Sequence, residues 1–567
     1  MTVSSATSNT SNSTSSTSNS NSSVTTSGTS TTSTINWSEL IQSAVNAKLA
    51  QATKISTKIT ANQAKVTAYQ SLQTALKTLS SGLSSLATSV VNPLATNAFA
   101  TRAATISATG DVSASSALSM SVKNGAATGS HTLTISQIAT AQKVVGSAQS
   151  SQTAALGYSG TFSLGLSGGS SAQITITSGM SMLDVVDAIN AQTSTTNVEA
   201  SIVQVSNGSY QLVLTGTKDA ADIAYSSSSG DDILNKLGVT NGSGGFATVL
   251  QSAQAAKFTL DGIALTRNTN DITDVLSGVT FDLLQATPSG TTLNIDIGTD
   301  TSQVASAVQS FVTNYNAFRD AVLAQQTTNT DGTAASSSVL FGDGTMRDVM
   351  NTLQAVFGTS VGGMTMADLG LSFNEKNELK LDTGTLSTIL STNLSGVITL
   401  LSAQTKTSSG QLSVVNTGTS PQSFTLDLAV DSSGNLTAAS VGGNSSLFTV
   451  SGNTILGNSG TIYAGMAFTY TGSTSQSITV TSTQGLATQV YQIAKTASST
   501  TGSFQTIIDN LTSQDATMQV KVNDIKSAAA TFQSQLMAQY ARYQAAIQSA
   551  NNTLTYLKAI LNASFNN

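Results

Sequence analysis

The sequence predicts a multidomain α+β protein, in which terminal coiled-coil helical arms form a stalk and a helical domain, with antiparallel β domains inserted between them. Heptad patterns occupy both ends of the 567-residue chain, and alternating strand patterns with Gly/Ser/Thr-rich turns fill the middle. A prior of roughly 150 residues per domain gives about four domains. The predicted order of elements is helix, β, helix, β, helix.

The N-terminal segment, residues 1–34, is predicted to be a disordered tail. It contains 25 Ser or Thr residues and no charged residue. Such a segment has little apolar surface to bury, so it cannot offset the entropy lost on ordering. The alternatives are a solvated linker, an export leader or a stretch that carries O-linked sugars.

A heptad pattern follows the tail and predicts an N-terminal coiled-coil arm over residues 35–66. Apolar residues then continue in alternating steps of four and three up to Pro93, which is predicted to end the helix. One residue is missing between Tyr69 and Leu72 relative to perfect phase, and such a stammer overwinds a coil locally. The predicted assembly positions are Leu72, Leu76, Leu79, Leu83 and Leu86.

The C-terminal end, residues 511–567, shows a second heptad pattern and predicts a matching arm. Asp515 is a polar exception within its seam, and few charged residues flank the seam. These features are typical of a coil that is weak alone and needs partners. The predicted assembly positions are Leu511, Met518, Val522, Ile525, Phe532, Leu536, Tyr543 and Leu557.

Strand-like and helical patterns alternate between the two arms. Asn207-Gly208 separates two alternating runs, which predicts a hairpin with a type I′ turn. A further β block comprises Lys257–Leu265, Val279–Leu284 and Thr292–Ile297. The predicted segments are a helical leg domain in three parts (67–128, 301–404 and 482–510), a β domain in two parts (129–160 and 255–300), an inserted outer β domain (161–254) and an additional β insertion domain (405–481).

Composition excludes several kinds of chemistry. Charged residues make up 9% of the chain, against about 25% in typical soluble domains. With no cysteine and with His131 as the only histidine, the chain has no thiol chemistry and no Cys-based zinc site. A net charge of −6 and a pI of 4.8 argue against partners such as nucleic acid or an anionic membrane. Neither a membrane-spanning run nor a secretory signal peptide is visible, so no membrane insertion is expected.

Several polar groupings are candidates for chemistry, including Gly230-Asp231-Asp232 in a predicted turn, and none makes a convincing catalytic, metal or cofactor site. Asp184 and Asp187 are three residues apart on a short predicted helix, which is typical of a solvated face. The run from Asp431 to Asn435 loosely resembles a calcium loop but lacks the rest of the ligand spacing. His131 lies in a strand-like stretch without a candidate nucleophile. The sequence therefore predicts an architectural protein, not an enzyme, with no cofactor.

Four stretches carry a resemblance to a known family. They are Lys65–Leu72 with Gly129–Lys143, Phe258–Gly262 with Asp271–Thr280, Phe311–Phe318 with Leu369–Phe373 and Leu379–Asp382, and Gly485–Ala487 leading into the C-terminal heptads. Taken in this order along one chain, they resemble the flagellar filament cap proteins, the hook-associated protein 2 (FliD) family. The second stretch is similar to a short repeat that cap proteins share with flagellins. The likeness covers nearly everything from Ile35 onward except the 405–480 block.

The resemblance implies a structural protein of the bacterial flagellum that is needed for motility. Family members form a ring-like homo-oligomer, commonly a pentamer, at the filament tip and promote the insertion and folding of exported flagellin. The implied partners are further copies of the chain, flagellin, the hook–filament junction proteins and a flagellar export chaperone. The implied location is extracellular, after export by the flagellar type III route, and some cap proteins are linked to adhesion.

Two other functions stay open at the level of sequence. A flagellin-like axial filament subunit shares the repeat at 258–280, although the long Ser/Thr-rich tail before the first arm does not suit it. A secreted surface adhesin suits the Ser/Thr/Gly-rich β segments, but not heptad arms at both ends of the chain.

Overall fold

The computed structural model describes residues 36–87, 97–110, 112–417 and 423–565. The tail predicted over 1–34 and the helix end predicted at Pro93 lie outside these ranges. The chain divides into two compact units, each of which is described by itself. One holds the chain up to Lys77, Phe318–Val349 and the chain from Lys495; the other holds Thr78–Ala317 and Met350–Ala494.

Two long helices dominate the α-helical part of the described chain. The first runs without a break across the position of the predicted stammer, and the last spans 63 residues. The helices are α1 Trp37–Ala87, α2 Ala114–Ala117, α3 Met182–Asn190, α4 Thr193–Thr196, α5 Ile233–Lys236, α6 Thr301–Ala324, α7 Gly344–Phe357, α8 Thr383–Thr392, α9 Leu394–Leu401, α10 Leu486–Ala497 and α11 Ser503–Phe565. In the described ranges no single helix is long and apolar enough to cross a bilayer; the bent pair α8–α9 meets that criterion only when its two helices are taken together.

The β elements are short antiparallel strands. They are β1 Arg102–Thr109, β2 Leu118–Val122, β3 Gly129–Gln137, β4 Lys143–Val145, β5 Gly160–Leu166, β6 Ser171–Ile176, β7 Val198–Ser206, β8 Ser209–Gly216, β9 Ile223–Gly230, β10 Thr248–Gln251, β11 Ala256–Leu260, β12 Ile263–Arg267, β13 Asp271–Ile272, β14 Val279–Leu283, β15 Thr292–Thr299, β16 Leu371–Phe373, β17 Leu379–Leu381, β18 Gln404–Thr407, β19 Leu412–Thr417, β20 Phe424–Val430, β21 Leu436–Ser440, β22 Phe448–Ser451, β23 Thr454–Gly457, β24 Met466–Tyr470 and β25 Gln476–Thr483.

The unit that contains Thr78–Ala317 and Met350–Ala494 holds three separate β cores. Sheets β1-β15-β3-β11-β12 and β13-β14-β2 enclose the first, which includes Leu133, Phe281 and Ile295. Sheets β10-β4-β8-β7 and β6-β5-β9 enclose the second together with α3 and α5. Their strands alternate between buried and exposed residues, as β15 does, because successive side chains point to opposite faces.

The third core belongs to the predicted insertion. Sheets β18-β25-β20-β21 and β19-β24-β23-β22 enclose it, and every buried member of this core lies between Leu412 and Val480. The insertion begins and ends at one place, because Gln404 on β18 pairs with Thr483 on β25. Just beyond, a Cβ at Gly485 would lie 2.3 Å from the carbonyl carbon of Leu401, so the close approach of these backbones requires glycine.

One β block contains a turn that was not predicted, and one predicted turn differs in detail. The block Lys257–Leu265 is two strands, β11 and β12, joined by Asp261 and Gly262, whose φ angles of +50° and +79° suit a type I′ turn. The hairpin at Asn207-Gly208 is confirmed, but only Gly208 has positive φ, and a bulge between Gln204 and Ser206 adjusts the register. The type I′ turn therefore occurs at Asp-Gly and not at Asn-Gly.

Candidate functional site: the paired terminal arms

The two terminal arms pair with each other in antiparallel orientation. The rings of Trp37 and Tyr540 lie 4.6 Å apart at one end. At the other end the Gln73 side-chain amide donates to Gln505 at 3.1 Å. As the residue number on α1 rises, the number of the contacting residue on α11 falls, so the two helices run antiparallel. α1 and α11 are therefore two halves of one helical hairpin in space, although they lie at opposite ends of the sequence.

Small apolar clusters hold this seam together. Ile41 and Val45 pack with Ala529, and Ala52 and Ile59 pack with Val522. Larger side chains of α11, such as Phe532, flank these clusters, and the Lys48 ammonium lies 4.3 Å from the Phe532 ring centroid. Because these clusters are small, the seam relies on many modest contacts along its length.

A polar layer interrupts the seam at the predicted exception. The Asn62 amide donates to Asp515 at 2.8 Å, between two partly buried side chains. Beside this pair lies a cavity of about 440 Å³, lined by Ile59, Val66, Ala516 and neighbouring residues. A polar pair in a coiled coil fixes the register at a cost in stability.

We expect substitutions of this layer to change the stability of the arms in opposite directions. Asn62→Leu alone leaves the Asp515 carboxylate without its donor in a half-buried seam and should cost about 1–2 kcal/mol. The double variant Asn62→Leu with Asp515→Leu should recover that loss and exceed the parent chain, because both polar partners are gone. Thermal unfolding followed by circular dichroism at 222 nm measures both. Gln51→Leu, an exposed change on α1, is the control; a double variant less stable than Asn62→Leu would contradict the expectation.

A group of interacting side chains connects α1, α11 and the loop before α7. The Tyr69 hydroxyl donates to Asp343 at 2.5 Å, and its ring packs on Phe504 with centroids 5.6 Å apart. Burial, followed by the Asp343 hydrogen bond, raises the pKa of Tyr69. Asp343 also accepts from the backbone N–H of Met346 and so caps α7. Sequence reasoning missed Asp343; an aspartate just before the helical pattern at Met346 was the available signal.

The structure divides the predicted assembly positions into covered and uncovered ones. Leu72, Leu76, Leu79, Leu83 and Leu86 are at most 1% exposed. On α11, Val522 is 1% exposed, and Leu511, Met518, Ile525, Phe532 and Leu536 are partly buried. Tyr543 and Leu557 are 51% and 55% exposed. Sequence periodicity predicted all of these positions alike, because a heptad pattern does not tell where the partner helix stops.

The part of α11 beyond Tyr540 presents an apolar row that the described residues leave open. We define the C-terminal stripe as Tyr543, Ile547, Leu554, Leu557 and Leu561, which are between 43% and 59% exposed. Tyr543 meets Gln539 and Tyr540, both on its own helix. Contiguous exposed apolar surface of this kind is common at protein interaction sites, so the C-terminal stripe is a candidate for one.

The polar groupings singled out in the sequence have local structural roles. Asp184 accepts from the Ser181 backbone N–H and hydroxyl in a capping box of α3, and these bonds lower its pKa. Asp431 accepts from the backbone of Asn435 in a tight turn. His131 Nδ1 lies 2.7 Å from Asp261, which lowers the pKa of that carboxyl. Within the described part of the chain, no group of three or more His, Asp or Glu residues is arranged to hold a metal ion.

Comparison with protein families gives three matches. The family described as flagellar hook-associated protein 2 C-terminus matches residues 253–552, more than half of the chain. The flagellar hook-associated protein 2 N-terminus family matches residues 33–142. The flagellin hook IN motif matches residues 161–218, a segment that sequence reasoning did not single out as flagellin-like.

Curated relatives point to the same group. The A-type flagellar hook-associated protein 2 of Pseudomonas aeruginosa is 28% identical over 256 residues, which cover 41% of this chain and 52% of the relative. The flagellar hook-associated protein 2 of Salmonella typhimurium is 29% identical over 232 residues, covering 39% of this chain and 48% of the relative. The chain thus spans about half the length of these relatives.

Among solved structures, the D1-D2-D3 domains of the flagellar cap protein FliD from Escherichia coli align over 78% of this chain and 99% of that chain, with a TM-score of 0.45 and 21% identity. FliD from Pseudomonas aeruginosa PAO1 aligns over 38% of this chain and 98% of that chain, with a TM-score of 0.32 and 25% identity.

Proposed function

The chain belongs to the flagellar hook-associated protein 2 family, and on that premise we propose that it caps the tip of the bacterial flagellar filament. In this role it forms an oligomeric ring that promotes the insertion and folding of exported flagellin. The structural observation that carries the proposal is the pair of terminal arms, whose C-terminal stripe continues past the end of the pairing.

The C-terminal stripe needs a partner that the sequence before α1 does not offer. Residues 1–34 contain only Met1, Val3, Ala6 and Val24 as apolar residues, too few to complete a heptad seam. Burial of half-exposed leucine and isoleucine side chains supplies most of the driving force for helix association in water. Residues 1–34 are thus poorly suited to cover the stripe, and the proposed cover is another protein chain, either a second copy or a filament subunit.

The proposal includes partners and a location that follow from family membership. The partners are further copies of the chain, with a pentamer as the expected ring, together with flagellin, the hook–filament junction proteins and a flagellar export chaperone. The location is the flagellum tip outside the cell, reached by the flagellar type III route. In this function the chain acts as a structural protein, not an enzyme, and its contribution is to bind and position subunits.

The alternatives from the sequence are less well supported. The two hook-associated protein 2 families match residues 33–142 and 253–552, which include most of both arms, whereas the flagellin match is confined to residues 161–218. A flagellin-like axial subunit is therefore not favoured. Nothing in the family matches points to a secreted adhesin.

Loss of the gene is the direct test of capping. A deletion strain should be non-motile and should release unpolymerised flagellin into the medium, because subunits leave the filament tip before they fold into it. Expression of the full chain should restore filaments, as seen by electron microscopy and by the amount of flagellin in culture supernatants. Purified protein should form small rings; long helical filaments would instead identify an axial subunit, and normal filaments in the deletion strain would overturn capping.

A further inference from the structure

A row of lysines on α1 stands out in a chain that has few charges and is acidic overall. From Leu40 to Ala87 this helix contains five lysines and no Asp or Glu, whereas the whole chain has a net charge of −6. Lys54, Lys58 and Lys65 are separated by four and seven residues, so they lie on one face of the helix. They span roughly 16 Å along the axis at 1.5 Å per residue. We call these three residues the lysine row.

The lysine row is exposed, and no ion pair of the described chain uses it. All three side chains are exposed, and ion pairs of the described residues, such as those of His131, Arg267, Arg319 and Lys380, lie elsewhere. On the paired helix, Asp509 accepts from Gln505 and Asp515 accepts from Asn62. Three unneutralised like charges on one face repel each other, and a negative partner relieves that repulsion.

The lysine row ends at a cavity in the same compact unit whose lining is partly polar and partly apolar. The cavity has a volume of about 230 Å³, and its lining includes Lys65, Tyr69, Leu340, Phe341 and Leu511. Phe341 is 49% exposed at this site, although Leu340 beside it is 3% exposed. Asp343, also in the lining, is engaged by the Tyr69 hydroxyl and by the α7 N-terminus. The volume is below the range of small-molecule sites, which start near 300 Å³, and suits a single inserted side chain.

We propose that the lysine row and the adjoining cavity form a docking surface for an acidic amphipathic helix of a partner protein. Carboxylates of the partner meet Lys54, Lys58 and Lys65, and one apolar side chain of the partner enters the cavity against Phe341. Charge complementarity selects an acidic occupant. The cavity favours a protein segment over a polyphosphate, because a phosphate chain has no apolar group to bury there.

This inference rests on the proposed function for the identity of the partner: the acidic helix would belong to a protein that the cap meets during filament assembly. The surface lies on the arm pair and the loop before α7, and it is distinct from the C-terminal stripe. The two sites differ in chemistry: the stripe buries apolar side chains along its whole length, whereas the lysine row attracts its partner mainly through charge. Binding at the lysine row should therefore weaken with salt, and binding at the stripe should not.

Binding of a designed peptide to the full-length protein tests the proposal. The probe is a fluorescein-labelled helical peptide of about 20 residues with Glu at three positions spaced four and seven apart, followed four residues later by Leu. Fluorescence anisotropy should show binding that weakens between 50 and 300 mM salt. The triple variant Lys54→Gln, Lys58→Gln, Lys65→Gln should bind about tenfold more weakly, at about 0.5 kcal/mol for each exposed ion pair. Phe341→Ser should also weaken binding.

A matched control separates a defined site from a general charge effect. Lys521→Gln, Lys526→Gln and Lys558→Gln remove the same charge from α11 and should leave peptide affinity unchanged. Equal weakening by both triple variants would overturn the proposal, as would equal binding of a peptide with Gln in place of Glu. Polyphosphate that displaces the peptide equally from the parent chain and from Phe341→Ser would show an anion site instead and would also overturn it.

The outcomes keep this inference separate from capping itself. If the full chain restores filaments in a deletion strain and the lysine-row variant binds the acidic peptide like the parent chain, the docking surface is wrong and the proposed function stands. If the full chain fails to restore filaments, the proposed function fails, whatever the peptide does. Circular dichroism of both triple variants should match the parent chain, because the substituted side chains are exposed.

Discussion

A chain that ends at Tyr540 should keep its paired arms and lose its ability to form rings. Pairing is complete from Trp37–Tyr540 to Gln73–Gln505, so removal of residues 541–567 takes away no contact of that seam. It does remove the C-terminal stripe. Burying five half-exposed apolar side chains contributes about 1 kcal/mol each. The total of about 5 kcal/mol corresponds to more than a thousandfold in the association constant.

Analytical ultracentrifugation of the full and truncated chains measures this loss, and a motility assay measures its consequence. A subtler variant keeps the helix: Leu554→Ser, Leu557→Ser and Leu561→Ser should also abolish rings. Its control, Gln548→Ser with Asn552→Ser, changes exposed polar residues of the same segment and should assemble normally. Rings of normal stability from the truncated chain would show that the stripe is not an assembly surface.

Phe468→Ala should unfold the β insertion without disturbing the rest of the chain. Phe468 is fully buried on β24, and removal of such a ring costs about 3–5 kcal/mol. The loss should stay within residues 404–483, because every buried member of that core lies inside the insertion and its two ends are paired with each other. We therefore propose that the insertion, predicted as 405–481, is a separate domain.

Hydrogen–deuterium exchange read out by mass spectrometry localises the effect of Phe468→Ala. Exchange should rise in β18 to β25 and stay unchanged in α9 and α10, the helices that flank the insertion. Leu456→Ala is the matched control: its side chain is 45% exposed on the neighbouring strand, so it should cost less than about 1 kcal/mol. An equal rise in exchange in α9, α10 and the arms would mean that the insertion and the rest unfold as one unit.

Local periodicity explains what the sequence could predict. The heptad positions from Leu72 to Leu86, and those from Leu511 to Leu536, were predicted because coiled-coil spacing is a property of neighbouring residues. A heptad pattern alone is satisfied by either orientation, and the hairpin layout of the two arms was predicted because the β segments are inserted between them. The exposure of Tyr543 and Leu557 was missed: their spacing matches that of Phe532, but the partner helix begins at Trp37.

Sequence patterns could not predict the contacts between residues that are far apart in the chain. The hydrogen bond of Tyr69 to Asp343 joins residues 274 positions apart in the sequence. Neither a tyrosine nor an aspartate indicates by its type which distant residue it will contact. The lysine row was visible as a composition bias, but the cavity at its end depends on the loop before α7. The turn at Asp261-Gly262 was a local signal that the strand pattern around it concealed, because Leu260 and Ile263 both suit a strand.

The antiparallel pairing of the arms also constrains the order in which the chain folds. Contact between Trp37 and Tyr540 closes a loop of about 500 residues. Closing a loop of this length costs entropy that grows with its length, and non-local contacts of this kind form slowly. The three β cores rely on contacts between residues that are nearer in the sequence, so we expect them to fold before the arms pair. We expect the two arms to pair last during folding. Their separation should therefore be the earliest step of unfolding.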